Sequence, residues 1–125
     1  MQSPTMPGWN LTLRFGLEVA VLLGIGIAAW QVTDGPVRWA AVVAAPLAAA
    51  SVWGVFNVPG DPSRSGEAPV VVPGVLRLGL EMGVLGAGGA GFLVGGPRLV
   101  ALVFVLLVLV HYSLSASRIR WLLHH

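Results

Sequence analysis

Two Arg–Glu pairs, each with a four-residue spacing, lie inside otherwise apolar stretches of the chain. Arg14 and Glu18 occur in the sequence LRFGLEVAVL, which returns as LRLGLEMGVL with Arg77 and Glu81. A charged side chain at the centre of a bilayer costs about 3 kcal/mol by insertion scales, so these residues need partners or a function. Either the pairs neutralise each other and lock the helices together, or a protonated glutamate acts as an acid and arginine positions its carboxyl group. The sequence leaves both interpretations open.

Further polar side chains are expected at the same depth in the membrane. At 1.5 Å per helical residue, Glu18 and Glu81 lie about 12 Å from the nearer helix ends. Asn57, His111 and Tyr112 come from helices that run the other way, and they reach a similar level. The polar residues therefore gather in one half of the bilayer. A polar pocket under an apolar chamber suits an amphiphile, whereas a channel needs a polar lining across the whole membrane.

The candidate site combines these groups with two aromatic side chains of the second predicted helix. Trp53 and Phe56 offer ring faces that can stabilise a positive charge on a substrate. The predicted catalytic residues are Arg14, Glu18, Arg77, Glu81 and His111, and the predicted substrate-binding residues are Trp53, Phe56, Asn57 and Tyr112. His111 and Tyr112 also have a structural interpretation, as a hydrogen-bonded helix residue and an interfacial aromatic. We expect neither a metal site nor a cofactor, because the chain has no cysteine, no metal-ligand spacing and no phosphate-binding glycine loop.

The composition indicates that lipid is the solvent of this chain. Of its 125 residues, 56% are hydrophobic and 10% are charged, whereas a soluble domain is about 25% charged. A membrane core about 30 Å thick needs roughly 20 apolar residues of helix. We predict an all-α polytopic membrane protein in which residues 1–125 form a single four-helix bundle. The four predicted transmembrane helices span approximately residues 10–31, 37–57, 73–95 and 97–115.

These helices are predicted to form two parallel repeats of two helices each. The Arg–Glu motif occurs on the first and third helices, and each two-helix unit restores the starting orientation of the chain. Small residues recur at every fourth position from residue 16 to 28 and from 79 to 95, which favours close packing of these two helices. The glutamates should then point away from the small-residue stripe. Residues 60–69, between the repeats, are predicted to form a flexible surface loop.

The charge distribution predicts an orientation and excludes one class of partner. All seven basic residues are arginine, and the net charge is +2. No basic run follows the pattern that a phosphate backbone needs, so no nucleic acid partner is expected. Arg64, Arg118 and Arg120 lie on one predicted side of the membrane, which places both termini in the cytoplasm. The C-terminal tail has the composition of a membrane interface.

Several of these motifs resemble a known bacterial family. The sequences NLTLRFGLE (Asn10–Glu18), APL (Ala45–Leu47), WGVF (Trp53–Phe56) and RLGLE (Arg77–Glu81) are similar to those of the small four-helix YrdB-type membrane proteins. His111 departs from the pattern, since the family leads us to expect an amide there. The resemblance spans most of the chain and implies a location in the plasma membrane of a bacterium. It implies no general activity. Small polytopic proteins of similar size that act as terpene cyclases offer a more distant analogy.

Three functions are compatible with the sequence. The first is a membrane-embedded cyclase or isomerase, in which Glu18 or Glu81 protonates a prenyl-type (terpenoid) amphiphile in a pocket of the cytoplasmic leaflet. The second is a small proton-coupled transporter of solutes or ions. The third is a structural or accessory subunit of a membrane assembly, in which the charges only stabilise the bundle.

The expected partners are membrane lipid and a prenyl-type small molecule, and a homo-oligomer is compatible with the composition. No ligand role is assigned to His124 and His125.

Overall fold

The computed structural model describes residues 3–64 and 66–125, and most of them are helical. The first two residues of the chain, and residue 65 of the predicted loop, lie outside the described residues. The helices are α1 (Gly8–Val32), α2 (Val37–Val55), α3 (Gly74–Gly95), α4 (Arg98–Leu114) and α5 (Ala116–Leu123). The strands β1 (Phe56–Asn57) and β2 (Val70–Val71) pair in parallel and close the base of the loop between α2 and α3. The prediction of an all-α fold class is confirmed, apart from this short unpredicted pairing.

Three of the described helices, α1, α2 and α3, are long and apolar enough to cross a membrane. The fourth, α4, meets the same criterion together with α5, although the two are bent by 68° where they join. Large apolar side chains cover the outside of the helices, for example Leu23, Leu47, Leu93 and Leu106. A helix that is apolar on its outer face as well as its inner face is typical of a membrane span. These features are consistent with the predicted membrane protein.

The helices α1 and α3 pack side by side and run parallel. Arg14 contacts Glu81 near the start of both helices, and Gly24 meets Gly88 further along, so the numbers of the contacting residues rise together. The helix α2 packs antiparallel against α1, and α4 packs antiparallel against α3. The starts of α1 and α3 therefore lie beside the ends of α2 and α4. We call this end of the bundle the charged end.

The contact between α1 and α3 depends on glycine, and it uses only part of the predicted stripe, including Gly24 and Gly91. A Cβ atom at Gly24, Gly88 or Gly91 would overlap the opposite helix, so only glycine allows these backbones to touch. In contrast, Gly79 and Gly83 have open space around them. The physical reason is geometric. Every fourth residue drifts about 40° around an α-helix, so a strict four-residue stripe leaves the interface after a few turns.

The buried face of α3 follows spacings of mostly three or four residues, and this face carries the charges. Arg77, Glu81, Leu85 and Gly88 are all buried along it. Glu81 lies off the line of Gly79 and Gly83, as predicted, and its buried side chain contacts Arg14 of α1 and Tyr112 of α4. Away from the charged end, the same interface is filled by the apolar cluster of Leu17, Val21, Leu85, Phe92, Ala101 and Phe104.

The C-terminal tail is more deeply packed into the protein than its interfacial composition indicated. The short helix α5 turns under the charged end, where Trp121 and Leu122 pack with Val58. Arg118 of the same helix is completely buried. The backbone of Leu122 approaches Gly74 so closely that a Cβ atom there would overlap it. The tail is held in this place because Arg118 finds anionic partners inside the bundle, as described below.

Candidate functional site

The carboxylate of Glu81 is the centre of the polar cluster at the charged end. Arg77 Nε donates a hydrogen bond to Oε2 at 2.7 Å, Arg118 Nη2 donates to the same oxygen at 2.6 Å, and Arg14 Nη2 lies 3.0 Å from it. The Tyr112 hydroxyl donates to Oε1 at 2.6 Å. The side chain of Glu81 is completely buried. Three guanidinium groups favour the carboxylate form, so this geometry makes Glu81 an ionic hub and a poor proton donor.

Arg118 joins this hub to the loop between α2 and α3. Its Nε and Nη2 atoms donate to the two carboxylate oxygens of Asp61 at 2.8 and 2.7 Å, while its Nη1 also donates to Glu81 at 3.0 Å. The backbone N–H of Ser63 donates to Asp61 Oδ1 at 2.9 Å. Because Asp61 is buried and bonded, the prediction of a flexible surface loop is wrong for this part of the loop.

The Asp61–Arg118 pair predicts a pH-dependent contribution to stability. Burial raises the pKa of Asp61, but the hydrogen bonds and charge of Arg118 outweigh it and lower the pKa below its ordinary value of 3.8. The stabilisation is therefore complete above that value and is lost as the pH falls through the lowered pKa of the folded protein. We expect Asp61→Asn to lower the free energy of unfolding by about 2–3 kcal/mol at pH 7. Denaturation in detergent at pH 7 and at a series of values below 4 measures this difference.

The difference between the parent and Asp61→Asn should shrink below pH 4, because the parent then loses the same charge. The matched control is Asp34→Asn, which removes an exposed aspartate at the other end of the bundle. A difference that stays constant down to the lowest pH would contradict the ionic role of Asp61.

Arg77 and Trp53 connect α3 to the end of α2. Arg77 Nη1 donates to the backbone carbonyls of Trp53 and Phe56 at 2.6 and 2.9 Å. The guanidinium carbons of Arg14 and Arg77 lie 5.0 and 4.9 Å from the centroid of the Trp53 ring. The ring predicted to face a substrate cation therefore already faces cations of the protein itself. Phe56 takes part through its backbone carbonyl.

His111 has the structural environment of a hydrogen-bonded helix residue. Its Nδ1 lies 2.7 Å from Asn10 Oδ1, and Asn10 Nδ2 donates to Ser115 Oγ at 3.0 Å. Since Asn10 offers its carbonyl oxygen, the proton belongs on Nδ1, and the bare Nε2 lies 3.4 Å from Arg14 Nη1. The side chain is buried, and His111 is not among the residues that line the polar cavity described below. This geometry supports positioning of α1 against α4 rather than proton transfer.

A small cavity at the charged end is lined by polar side chains. It has a volume of about 280 Å³, and the residues that line it include Arg14, Glu18, Trp53, Asn57, Ser63 and Arg64. We call it the polar cavity. Glu18 accepts a hydrogen bond from Trp53 Nε1 at 2.9 Å and lies 3.5 Å from Arg14 Nε, with 32% of its side chain exposed. A neighbouring space of about 370 Å³ shares Glu18 and three other lining residues.

Four of the residues that line the polar cavity each have one buried polar atom without a hydrogen-bond partner among the described residues. These atoms are Arg14 Nη2, Asn57 Oδ1, Ser63 Oγ and Arg64 Nη1. Arg14 Nη2 lies 3.0 Å from Glu81 Oε2 and forms an ion pair with it, while the hydrogen bond between the two side chains runs from Arg14 Nη1 to Glu81 Oε1 at 3.4 Å. Leaving a buried polar group unsatisfied costs about 1–3 kcal/mol. The cavity is therefore where a ligand or water would relieve the largest number of unsatisfied groups.

An apolar groove between α1 and α2 begins one turn beyond the polar cavity. Its volume is about 510 Å³, and it is lined by Val19, Leu22, Gly26, Val42, Pro46 and other apolar residues. We call this groove the α1–α2 groove. On α1, Leu22 follows Glu18 by four residues, so the polar cavity and the α1–α2 groove share one face of the helix. A larger groove of about 690 Å³ between α3 and α4 is lined almost wholly by apolar atoms, and none of the unpartnered atoms of the described residues belongs to it.

Comparison with known proteins places the chain in a family. Residues 12–109 match the family described as "Protein of unknown function (DUF2568)". The chain is 41% identical over 115 residues to "Uncharacterized protein YrdB" of Bacillus subtilis (strain 168), a match that covers 92% of this chain and 94% of that protein. The chain belongs to this family. The family resemblance expected from the motifs is thereby confirmed, and both Arg–Glu pairs lie within the matched residues. No solved structure matches the chain at a significant level.

The structure brings the predicted site residues together in two groups. Glu81, Arg77, Tyr112 and His111 form the enclosed cluster, and Arg14 belongs to it as well. The residues Arg14, Glu18, Trp53 and Asn57 line the polar cavity, while Phe56 lies beside it. Arg–Glu pairs are formed both within a helix and between α1 and α3, as the contacts of Arg14 with Glu18 and Glu81 illustrate.

Sequence reasoning did not identify five residues of the site. They are Asn10, Asp61, Ser63, Arg64 and Ser115. It also placed Arg118 at the membrane interface. Arg118 and Asp61 are far apart in sequence, and neither belongs to a repeated motif. The charge balance gave no signal for them either, because the two arginines and two glutamates of the repeated motifs already balance each other.

Proposed function

We propose that this protein binds a membrane amphiphile at the charged end, with the polar head in the polar cavity and the tail in the α1–α2 groove. The observation that carries the proposal is that four residues lining one cavity each have a buried polar atom without a hydrogen-bond partner in residues 3–64 and 66–125. Buried polar atoms are nearly always hydrogen-bonded in folded proteins. The apolar groove that continues from Glu18 along α1 gives a tail a place next to the head.

The proposal includes the arrangement of the chain in the membrane. Four helices cross the bilayer as two parallel repeats of two, with α5 folded at the surface. Both termini lie in the cytoplasm, and the membrane is the plasma membrane of a bacterium. The parallel packing of α1 and α3 and the concentration of arginine at the charged end support this orientation. The head of the amphiphile then lies in the cytoplasmic leaflet.

A cyclase or isomerase that acts on a prenyl-type amphiphile is the second candidate function. The specific observation in its favour is that Glu18 is partly exposed and lines the polar cavity, where it could reach a bound molecule. Glu81 is less suited to this chemistry because three arginines contact its carboxylate. Transport finds less support, since the buried charges of the described residues lie at one end of the bundle rather than along it.

Filling the α1–α2 groove is expected to displace the amphiphile. Gly26 lines the groove, and a Cβ atom there lies at ordinary contact distance from Pro46, 3.7 Å, so a leucine side chain extends into the space for a tail. We expect the parent protein, extracted in mild detergent, to retain a bound amphiphile that mass spectrometry detects at about one equivalent. Gly26→Leu should retain several-fold less, because the tail loses its apolar contacts.

The control for this experiment is Gly83→Leu, which adds the same side chain at an open position on α3. This variant should retain the amphiphile like the parent. Equal retention by the parent and Gly26→Leu would exclude the groove as the binding place, and a parent protein without any bound amphiphile would exclude the proposed function.

A further inference from the structure

We propose that the head group in the polar cavity is the oxyanion of a phosphate-bearing lipid that also carries a hydrogen-bond donor. This inference rests on the proposed function and specifies its ligand. The cavity lining contains three arginines, Arg14, Arg64 and Arg77, and one glutamate, Glu18. A lining with this balance favours an anion over a cation or a neutral head group.

The arginines of the lining differ in how many of their donors are free. Arg77 uses Nε for Glu81 and Nη1 for two backbone carbonyls, so it is occupied within the protein. Arg14 Nη2 and Arg64 Nη1 have no hydrogen-bond partner in residues 3–64 and 66–125. Guanidinium groups bind phosphate and carboxylate oxygens with short, charge-assisted hydrogen bonds. Arg14 of α1 and Arg64 of the loop line the same cavity, so one oxyanion in it can interact with both guanidinium groups.

Ser63 and Asn57 complete the description of the ligand. Within the part of the chain that the structure describes, the Ser63 hydroxyl is a third donor without a hydrogen-bond partner. Asn57 Nδ2 donates to the Gly54 carbonyl at 2.7 Å, so the unpartnered atom of this completely buried side chain is an acceptor, Oδ1. It needs a donor from the ligand, such as a hydroxyl or an ammonium group. The lining therefore presents three donors for an oxyanion and one acceptor for a neighbouring donor group.

The Glu81 hub gives the cavity a fixed donor instead of a flexible one. Arg14 is buried, and its guanidinium is held between the carboxylate of Glu81 and the ring of Trp53. A preorganised donor loses little conformational entropy when it binds a ligand. Arg64, on the loop, is half-buried. The loop itself is anchored close by through Asp61 and Arg118, so the second donor is also confined.

A lipid explains these features better than a free anion because the cavity has an apolar continuation. The α1–α2 groove starts one helical turn from Glu18 and is bordered by α2, which also supplies Trp53 to the cavity. A free phosphate would use only the polar part. Among common bacterial lipids, phosphatidylglycerol combines an anionic phosphate with hydroxyl donors, whereas phosphatidylcholine has no donor and no net charge. These two lipids are therefore suitable probes.

The test measures thermal stabilisation of the delipidated full chain in detergent by phosphatidylglycerol, phosphatidylcholine or inorganic phosphate. We expect phosphatidylglycerol to bind the parent about tenfold more tightly than phosphatidylcholine, the effect of one charge-assisted hydrogen bond. Arg64→Gln should lose this preference. The matched control is Arg120→Gln, which removes an exposed arginine of α5 at the same end of the bundle and should keep the preference.

The other possible results of this test would overturn the proposed site, the lipid or the head group. Equal loss in Arg64→Gln and Arg120→Gln would mean that general surface charge attracts the lipid, which overturns the proposed site. Stabilisation by inorganic phosphate equal to that by phosphatidylglycerol would overturn the assignment to a lipid. If the parent retains an amphiphile through the α1–α2 groove but does not prefer phosphatidylglycerol, the head-group inference fails and the proposed function remains.

Discussion

Glu81→Gln is expected to cost more stability than any other single removal of charge in this protein. The substitution leaves Arg14, Arg77 and Arg118 buried around a neutral amide, and their mutual repulsion is no longer offset. Removing one partner of a buried ion pair typically costs about 3–5 kcal/mol. We therefore expect a loss of at least that size, because one carboxylate here serves three arginines. The free energy of unfolding in detergent micelles measures it.

The matched control for Glu81→Gln is Glu67→Gln, which makes the same chemical change at an exposed loop position. Exposed charges contribute about 0–1 kcal/mol, so this variant should remain as stable as the parent. If Glu81→Gln were equally stable, the carboxylate would not be the ionic hub that the geometry describes. Its burial would then be a cost to the fold, and an acid role for Glu81 would gain support.

The second large effect is expected for Gly91→Ala, in the contact between α1 and α3. A Cβ atom at Gly91 would overlap the carbonyl of Gly24, and backbone atoms on both sides leave no flexible group to move aside. The helices must separate, which disturbs the neighbouring apolar cluster as well. Overpacking of this kind costs about 1–3 kcal/mol, and we expect the upper part of that range or more. Thermal unfolding of the variant in detergent provides the measurement.

Gly83→Ala serves as the control, because it is the same substitution on the same helix at a position with open space. Alanine favours a helix over glycine by up to about 1 kcal/mol, so Gly83→Ala should be neutral or slightly stabilising. The opposite signs of the two effects are the expected result. A neutral Gly91→Ala would show that the two backbones are further apart than the structure has them.

The helices could be predicted from the sequence because a helix that crosses a bilayer needs a long apolar run. Apolar runs of the required length are visible by inspection, and the ends of the second and third helices fall close to the predicted positions. The repeated Arg–Glu motif also identified Arg14, Arg77 and Glu81, the central residues of the charged cluster. In a membrane, charges within apolar helices are costly enough that their presence alone points to a shared site.

The contacts that sequence reasoning missed depend on how distant segments meet. The pairing of Arg118 with Asp61 joins residues of the tail and of a Pro- and Gly-rich loop, and neither segment shows a periodic pattern that would indicate burial. The difference between Glu18 and Glu81 was also invisible, since the two motifs are nearly identical. The helix α5 packs under the Arg77–Glu81 motif, where Arg118 contacts Glu81 and helps to enclose it. Glu18 has no such cover and lines the polar cavity.

These differences divide the charged end into two parts with separate roles. The enclosed part consists of Glu81 with its arginines and Tyr112, and it fixes α1, α3, α4 and α5 relative to one another. The open part consists of the polar cavity, where Arg14 and Arg64 each have one nitrogen without a hydrogen-bond partner among the described residues. Arg14 belongs to both parts, so the ionic hub that stabilises the bundle also positions one donor of the proposed binding site.

The most direct test of this account is an experimental structure of the protein in lipid nanodiscs that contain phosphatidylglycerol. The account predicts continuous density with a head group within hydrogen-bond distance of Arg14 Nη2 and Arg64 Nη1, and with a tail that follows the α1–α2 groove past Pro46. A polar cavity that holds only water, or that is closed by the side chains of Ser63 and Arg64, together with an empty groove, would contradict it.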